Sequence, residues 1–312
     1  MRTVFSKAIV DAALNDERVL LLTGDHGYAL FDEFRKVAPR QFINAGVAEQ
    51  NMVGMAAGLA KAGFKPIVYG LSAFVPIRVL EQIKLDVCYE ELPVVFIGDG
   101  AGVVYSSLGS SHQSVEDIAA LRAIPHIDIL SPGDRMEMEY AMAHALSFKR
   151  PVYVRMGKAD LADAHPPGSF DLSAPLGNLF CLAGTPGASL AFLATGSMLG
   201  SAMTLAEEHG DSVVWSVPSI CPINEEQVRK IAGTAQAVVV LEEHSSQGGL
   251  GGLIAELVAE MNSPRGRVVR LGTEGRFSER CGSYSYLLKE HGLDLPSLRQ
   301  RMELKGMSLA RG

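Results

Sequence analysis

The chain has 312 residues, 47% of them hydrophobic, and carries 28 Lys and Arg against 35 Asp and Glu, a formal charge of −7. That length suggests about two domains at roughly 150 residues each, and a balanced charge without any basic run excludes nucleic acid as an expected partner. No apolar run is long enough for a membrane span, no signal peptide is recognisable, and Cys88, Cys181, Cys221 and Cys281 lie too far apart for a disulfide frame or a zinc site. The expectation is a cytoplasmic protein whose thiols are free and buried.

In chain order, a helix over 4–15 leads to a short apolar strand over 19–23, with further strands expected over 65–70, 93–98, 127–131 and 151–156. Each is nearly all apolar and followed by Gly, Asp or Ser, as in parallel strands buried on both faces. Helical patterns over 49–61, 79–90, 115–121 and 135–148 alternate with them, which implies an open α/β sheet with right-handed crossovers. Two prolines and a glycine in Ala164-His165-Pro166-Pro167-Gly168 interrupt both periodicities and mark a linker over 161–178. A second α/β unit follows, with strands expected over 190–195, 212–216, 237–241 and 268–271. The fold class is therefore α/β: two consecutive open domains with mostly parallel sheets, 1–160 and 179–312.

Among these elements the segment from Asn44 to Ala60 places a single carboxylate, Glu49, among small and apolar residues, where an ionised group needs a partner. Gly46 supplies a turn into the helix, Glu49 stands in its first turn, and Gly54 and Gly58 leave room for another backbone or a flat ligand. On local pattern alone, Glu49 is equally well read as an acidic residue favoured by the helix dipole. His112 sits between a Gly- and Ser-rich loop and a helix that Ser114 could cap, so its imidazole can face a cleft. Asp25 and His26 follow the first strand, at the kind of strand end that forms the crevice of α/β sheets. Gly248, Gly249, Gly251 and Gly252 are read as a tight packing turn, since they lack dinucleotide spacing.

Gly46-Val47-Ala48-Glu49-Gln50-Asn51-Met52-Val53-Gly54, Arg78-Val79-Leu80-Glu81-Gln82-Ile83-Lys84, Ser111-His112-Gln113-Ser114 with Glu116-Asp117, and Glu242-Glu243-His244 with Gly248-Gly249 together resemble the transketolase group of thiamine diphosphate enzymes. The resemblance covers nearly the whole chain, but only the C-terminal half of a full-length transketolase. It implies a pyrimidine-binding domain and a C-terminal domain that is largely structural, with Glu49 as the glutamate on the aminopyrimidine ring of the cofactor. Phe74 is the candidate to stack on that ring, displaced by one position from the family's phenylalanine, with Tyr69 and Tyr105 as weaker candidates. The resemblance also implies that His112 assists proton transfer at the substrate's oxygens, that Asp25 contacts the cofactor, that His26 faces the donor, and that Arg155 binds an anionic end of the substrate. Leu108 departs from the family, which has an Asp four residues before the histidine.

Gly98-Asp99-Gly100 has the opening of the family's diphosphate and metal motif but no asparagine at the required distance, so it is read as a strand-end turn and no metal ligand is assigned. The implied assembly is a split transketolase in which a separate N-terminal subunit holds the diphosphate and Mg²⁺, in an α2β2 complex, acting on a ketose donor and an aldehyde acceptor. A deoxyxylulose-phosphate-synthase-like enzyme, the beta subunit of a 2-oxo acid dehydrogenase, and a non-catalytic regulatory or scaffold subunit are the alternatives.

Overall fold

The computed structural model describes residues 1–27, 29–166 and 168–307; Pro167 of the expected linker and 308–312 of the expected second unit lie outside the described residues. The apolar runs pair into two sheets. The first contains β1 (Val19–Thr23), β2 (Phe42–Asn44), β3 (Lys65–Leu71), β4 (Val95–Asp99), β5 (Asp128–Leu130) and β6 (Val152–Met156). The second contains β7 (Phe180–Gly184), β8 (Leu190–Ala194), β9 (Ser212–Ser216), then, after β10 (Ser219–Cys221), β11 (Ala237–Ser245) and β12 (Arg267–Thr273). Strand orders are β10-β5-β6-β4-β3-β1-β2 and β12-β11-β8-β9-β7, and all pairings are parallel except β10 on β5 and β7 on β9.

Three strands escape the sequence pattern. β2 and β10 have only three residues each, too short to show a period, and β7 is a half-exposed edge strand whose apolar run follows the polar stretch expected as linker. β10 also crosses the expected boundary between the two units. It belongs by sequence to the second, yet it pairs with β5 at the edge of the first sheet, with Ser219 opposite Leu130. The Ser131 N–H donates to Pro218 O at 2.8 Å beside it. One apolar core accordingly runs from Leu22, Met52 and Ile83 through Val217 and Ile220 to Val228, Val238 and Leu250, joining both units behind the first sheet.

Two helices differ from expectation. The stretch over 79–90 divides into a 3-10 turn (Ile77–Val79), one α turn (Leu80–Gln82) and a π-helix (Ile83–Cys88), a form that concentrates near functional sites. The helix after His112 begins at Asp117, and Ser114 does not cap it; its hydroxyl donates to Ser72 O at 3.2 Å instead. By contrast, the helix Arg135–Ala145 is capped, Asp134 accepting from the N–H groups of Met136 and Glu137, a contact worth about 1 kcal/mol. The four thiols are free, but only Cys88 is buried; Cys181 and Cys281 are exposed. No helix among the described residues is long and apolar enough to cross a membrane.

Candidate active site

The carboxyl ends of β2, β1, β3 and β4, adjacent in the first sheet, deliver the candidate residues to one edge, as open α/β sheets do. After β2 the chain turns at Gly46, whose φ of +71° suits glycine and whose N–H is held by Asn44 Oδ1 at 2.8 Å. The helix Glu49–Lys61 then starts with Glu49 itself, only 5% exposed. Arg78 Nη1 lies 2.9 Å from Glu49 Oε2, which supplies the partner a buried carboxylate requires. Among the described residues no hydrogen bond engages Oε1. The carboxylate is thus oriented through one oxygen and has acceptor capacity left on the other.

Arg78 is 44% exposed along its side chain and stacks its guanidinium over the Phe74 ring, 3.9 Å from the centroid. Phe74 in turn meets the His112 imidazole edge-on, with centroids 5.2 Å apart. Glu49, Arg78, Phe74 and His112 therefore form one contact chain built from three separate segments. His112 Nδ1 is 3.0 Å from the Ser111 hydroxyl. The alternative aromatics are committed elsewhere: Tyr69 is buried, stacks on Phe5, and donates to Asp99 Oδ2 at 2.9 Å, and Tyr105 donates to the same oxygen at 3.0 Å.

His26 lies at the end of β1 beside Gly70 and Tyr69, with its Nε2 buried and, among the described residues, without a hydrogen-bond partner. Burial lowers its pKa more than the charges of Glu49 and Asp99 raise it, so the imidazole is neutral near pH 7. An orphaned ring nitrogen of this kind invites a polar group from outside the chain. Asp25, one residue earlier, is exposed at the same strand end. Gly54 and Gly58 face open space, since a Cβ on either would meet nothing within 4 Å.

Arg155, expected to bind an anionic end of the substrate, is not a free cation at this edge. It is 2% exposed; its Nε donates to Asp117 Oδ2 at 2.8 Å, and its Nη2 donates to the carbonyls of Glu243 at 2.9 Å and Ser114 at 3.2 Å. The guanidinium ties the His112 loop to the second sheet. Asp99 of the Gly-Asp-Gly turn is likewise engaged, its Oδ2 accepting from Arg2, Tyr69 and Tyr105. In the glycine-rich turn the chain's own Glu242 takes the place of an external anion, accepting from the N–H groups of Leu250 at 2.7 Å and Gly251 at 2.8 Å. Leu108 is 51% exposed on the His112 loop.

Three kinds of comparison bear on the family of the chain. Residues 1–163 match the family model described as "Transketolase, pyrimidine binding domain", and residues 183–298 match "Transketolase, C-terminal domain". The chain is 33% identical over 268 residues to one of the subunits of the apulose-4-phosphate transketolase of Phocaeicola vulgatus, covering 84% of this chain and 85% of that one. It is 34% identical over 310 residues to a putative transketolase C-terminal section of Methanocaldococcus jannaschii, covering 97% and 95%. A 1-deoxy-D-xylulose-5-phosphate synthase of Caldanaerobacter subterraneus is 36% identical over 303 residues, 95% of this chain but only 47% of that enzyme. Among solved structures, a split-gene transketolase described as an inactive beta4 tetramer superposes with a TM-score of 0.84 at 30% identity over 99% of this chain and 98% of its own. The transketolase of Leishmania mexicana shares the fold, with a TM-score of 0.80 at 19% identity over 100% of this chain and 46% of its own.

Proposed function

The chain belongs to the transketolase family, as a pyrimidine-binding domain followed by a C-terminal domain, and on that footing we propose that it is one subunit of a split, thiamine diphosphate-dependent transketolase. Such an enzyme moves a two-carbon ketol unit from a ketose or ketose phosphate to an aldehyde. The observation that carries the reading is Glu49: a buried carboxylate at the start of a helix, held by Arg78 through one oxygen and with the other oxygen unclaimed among the described residues. Relatives of similar length to this chain favour a two-subunit enzyme, whereas it spans about half of the deoxyxylulose-phosphate synthases it matches.

The residues at the edge of the first sheet fit the pyrimidine half of the cofactor. Bound thiamine diphosphate would supply a carbanion centre at its thiazolium carbon. Glu49 Oε1 would hydrogen-bond the far ring nitrogen of the aminopyrimidine and hold a proton there, a task for which Asp is too short and Gln has no proton to relay. Phe74 would stack on the ring, with Asp25 beside the cofactor. His112 and the unpartnered Nε2 of His26 would meet the substrate's oxygens and move protons at them. Leu108, an apolar group where the family reads a hydroxyl, would lower the preference for acceptors with a hydroxyl beside the aldehyde.

The Gly98-Asp99-Gly100 turn lacks the downstream asparagine of the family's diphosphate motif, and Asp99 Oδ2 already accepts from Arg2, Tyr69 and Tyr105. A separate partner chain would hold the diphosphate and Mg²⁺, which suits oxygen ligands, and closed symmetry favours two copies of each chain. The test is Glu49→Gln in the assembled enzyme, following proton exchange at the thiazolium carbon. Exchange should slow by about 10²–10⁴, the usual weight of a positioned acid or base, with the fold intact; exchange within a few-fold of wild type refutes the assignment.

A further inference from the structure

The segment carrying His112 is a closed loop whose neck is an antiparallel bridge, Gly102 N–H to Ser114 O at 2.7 Å and Ser114 N–H to Gly102 O at 2.9 Å. Between these residues it contains only one 3-10 turn, Ser110–His112. A loop this short of internal structure needs outside contacts to hold one geometry. All along its length those contacts reach into the second unit.

At the start, Glu243 Oε1 accepts the Val103 N–H at 2.7 Å, while Oε2 is held by the hydroxyls of Ser197 and Tyr284. Gly102 (φ +81°) permits this approach, since a Cβ there would lie 2.2 Å from Glu243 Oε1. Midway, the Gly282 N–H donates to Ser106 O at 3.1 Å. At the end, Ser278 meets the residues on either side of His112. Its N–H donates to Ser110 Oγ at 3.1 Å, and the Ser110 hydroxyl donates back to Ser278 O at 3.4 Å. The Ser278 hydroxyl lies 2.7 Å from Gln113 Oε1 and 2.8 Å from His291 Nε2.

The proton order in that last group follows from the donor inventory. Gln113 Oε1 can only accept, so the single Ser278 hydroxyl proton goes to it, and His291 Nε2 must then be the donor to Ser278. His291 Nδ1 and Gln113 Nε2 are buried without a hydrogen-bond partner among the described residues. These contacts run from His291 through Ser278 to Gln113, the residue next to His112.

We propose that Ser278 of the C-terminal domain is a positioning residue for His112: through Ser110 and Gln113 it fixes the loop in the geometry that presents the imidazole to the substrate. This gives the C-terminal domain a part in turnover beyond a structural one, and it rests on the reading of His112 as a substrate-facing group. Two measurements test it. In the full-length chain alone, Ser278→Ala should raise amide hydrogen exchange over 103–116 by about tenfold or more while leaving 49–61 unchanged. In the assembled enzyme, Ser278→Ala should lower kcat on the order of tenfold or more, a misplacement effect, with thiamine diphosphate affinity retained, and Ser278→Thr should restore most of it. In a His112→Ala background the same change should add less than about twofold, because coupled residues are not additive. Unchanged loop protection overturns the proposal, as do losses that add independently in the double variant. If His112→Ala itself leaves turnover intact, the role of His112 fails and the proposal with it; if His112→Ala is impaired and Ser278→Ala is not, the proposal alone fails.

Discussion

Replacing Arg155 by Met separates a buried strut from a substrate receptor. The guanidinium is sealed from solvent, and its ion partner Asp117 is fully buried, so the pair has little water to fall back on. Asp117 Oδ2 accepts from both Arg155 Nε and the Tyr153 hydroxyl at 2.8 Å, while Oδ1 is buried without a hydrogen bond. Without Arg155 that carboxylate would retain one neutral donor. Removing one partner of a buried pair costs about 3–5 kcal/mol, and the carbonyls of Ser114 and Glu243 lose their charged donor as well. At roughly 2–4 °C per kcal/mol, Tm should fall by about 10 °C, read by circular dichroism on the purified chain. Arg155→Lys should recover part of this, since an ammonium can hold Asp117 without spanning to both carbonyls. In the assembled enzyme, charged and uncharged substrates should lose activity together. A variant within about 1 kcal/mol of wild type that loses only phosphate-bearing substrates would refute the strut and restore the anion pocket.

Two further outcomes follow from the site and from the joint between the units. The chain alone should bind thiamine diphosphate poorly, because most of the cofactor's charge lies in a diphosphate and the Gly98-Asp99-Gly100 turn lacks the downstream asparagine that would complete an Mg²⁺ site; calorimetric titration with Mg²⁺ checks it, and micromolar binding with ketol transfer by the lone chain would overturn the split. At the joint, burial opposes the charge on His165, but its hydrogen bond with Asp134 and the nearby Glu137 prevail and raise its pKa, while burial pushes Glu137 up to about 7. Both folded-state shifts are upward, so the stability they contribute is complete at low pH and is lost as pH rises, for Glu137 from about 4.5 to about 7 and for His165 from its unfolded value of about 6.5 to its higher folded one. His165→Gln should therefore cost more stability at pH 6 than at pH 9 in urea titrations, and a larger cost at pH 9 would contradict the sign.

The sequence alone determined what depends on near neighbours. Apolar runs bounded by Gly, Asp and Ser placed every strand except β2, β7 and β10, and the turn at Gly46 ahead of an apolar helix singled out Glu49, because strand burial and helix starts are set within a few residues. Phe74 was marked as the stacking candidate although it stands one position from the family pattern; the structure sets it between Arg78 and His112, while Tyr69 and Tyr105 both donate to Asp99. Only the tertiary structure decided what long side chains do across the fold. Arg155, at a strand end where the resemblance led to the expectation of an anion-binding arginine, turns inward because Asp117 and two carbonyls from distant segments converge on it. Glu242 fills the anion site of its own glycine turn, β10 crosses into the first sheet, and Ser278 reaches the His112 loop from 165 residues away along the chain. Hydrogen-bond partners are chosen by proximity in space, and no local period in the sequence records which distant carbonyl or carboxylate will be there.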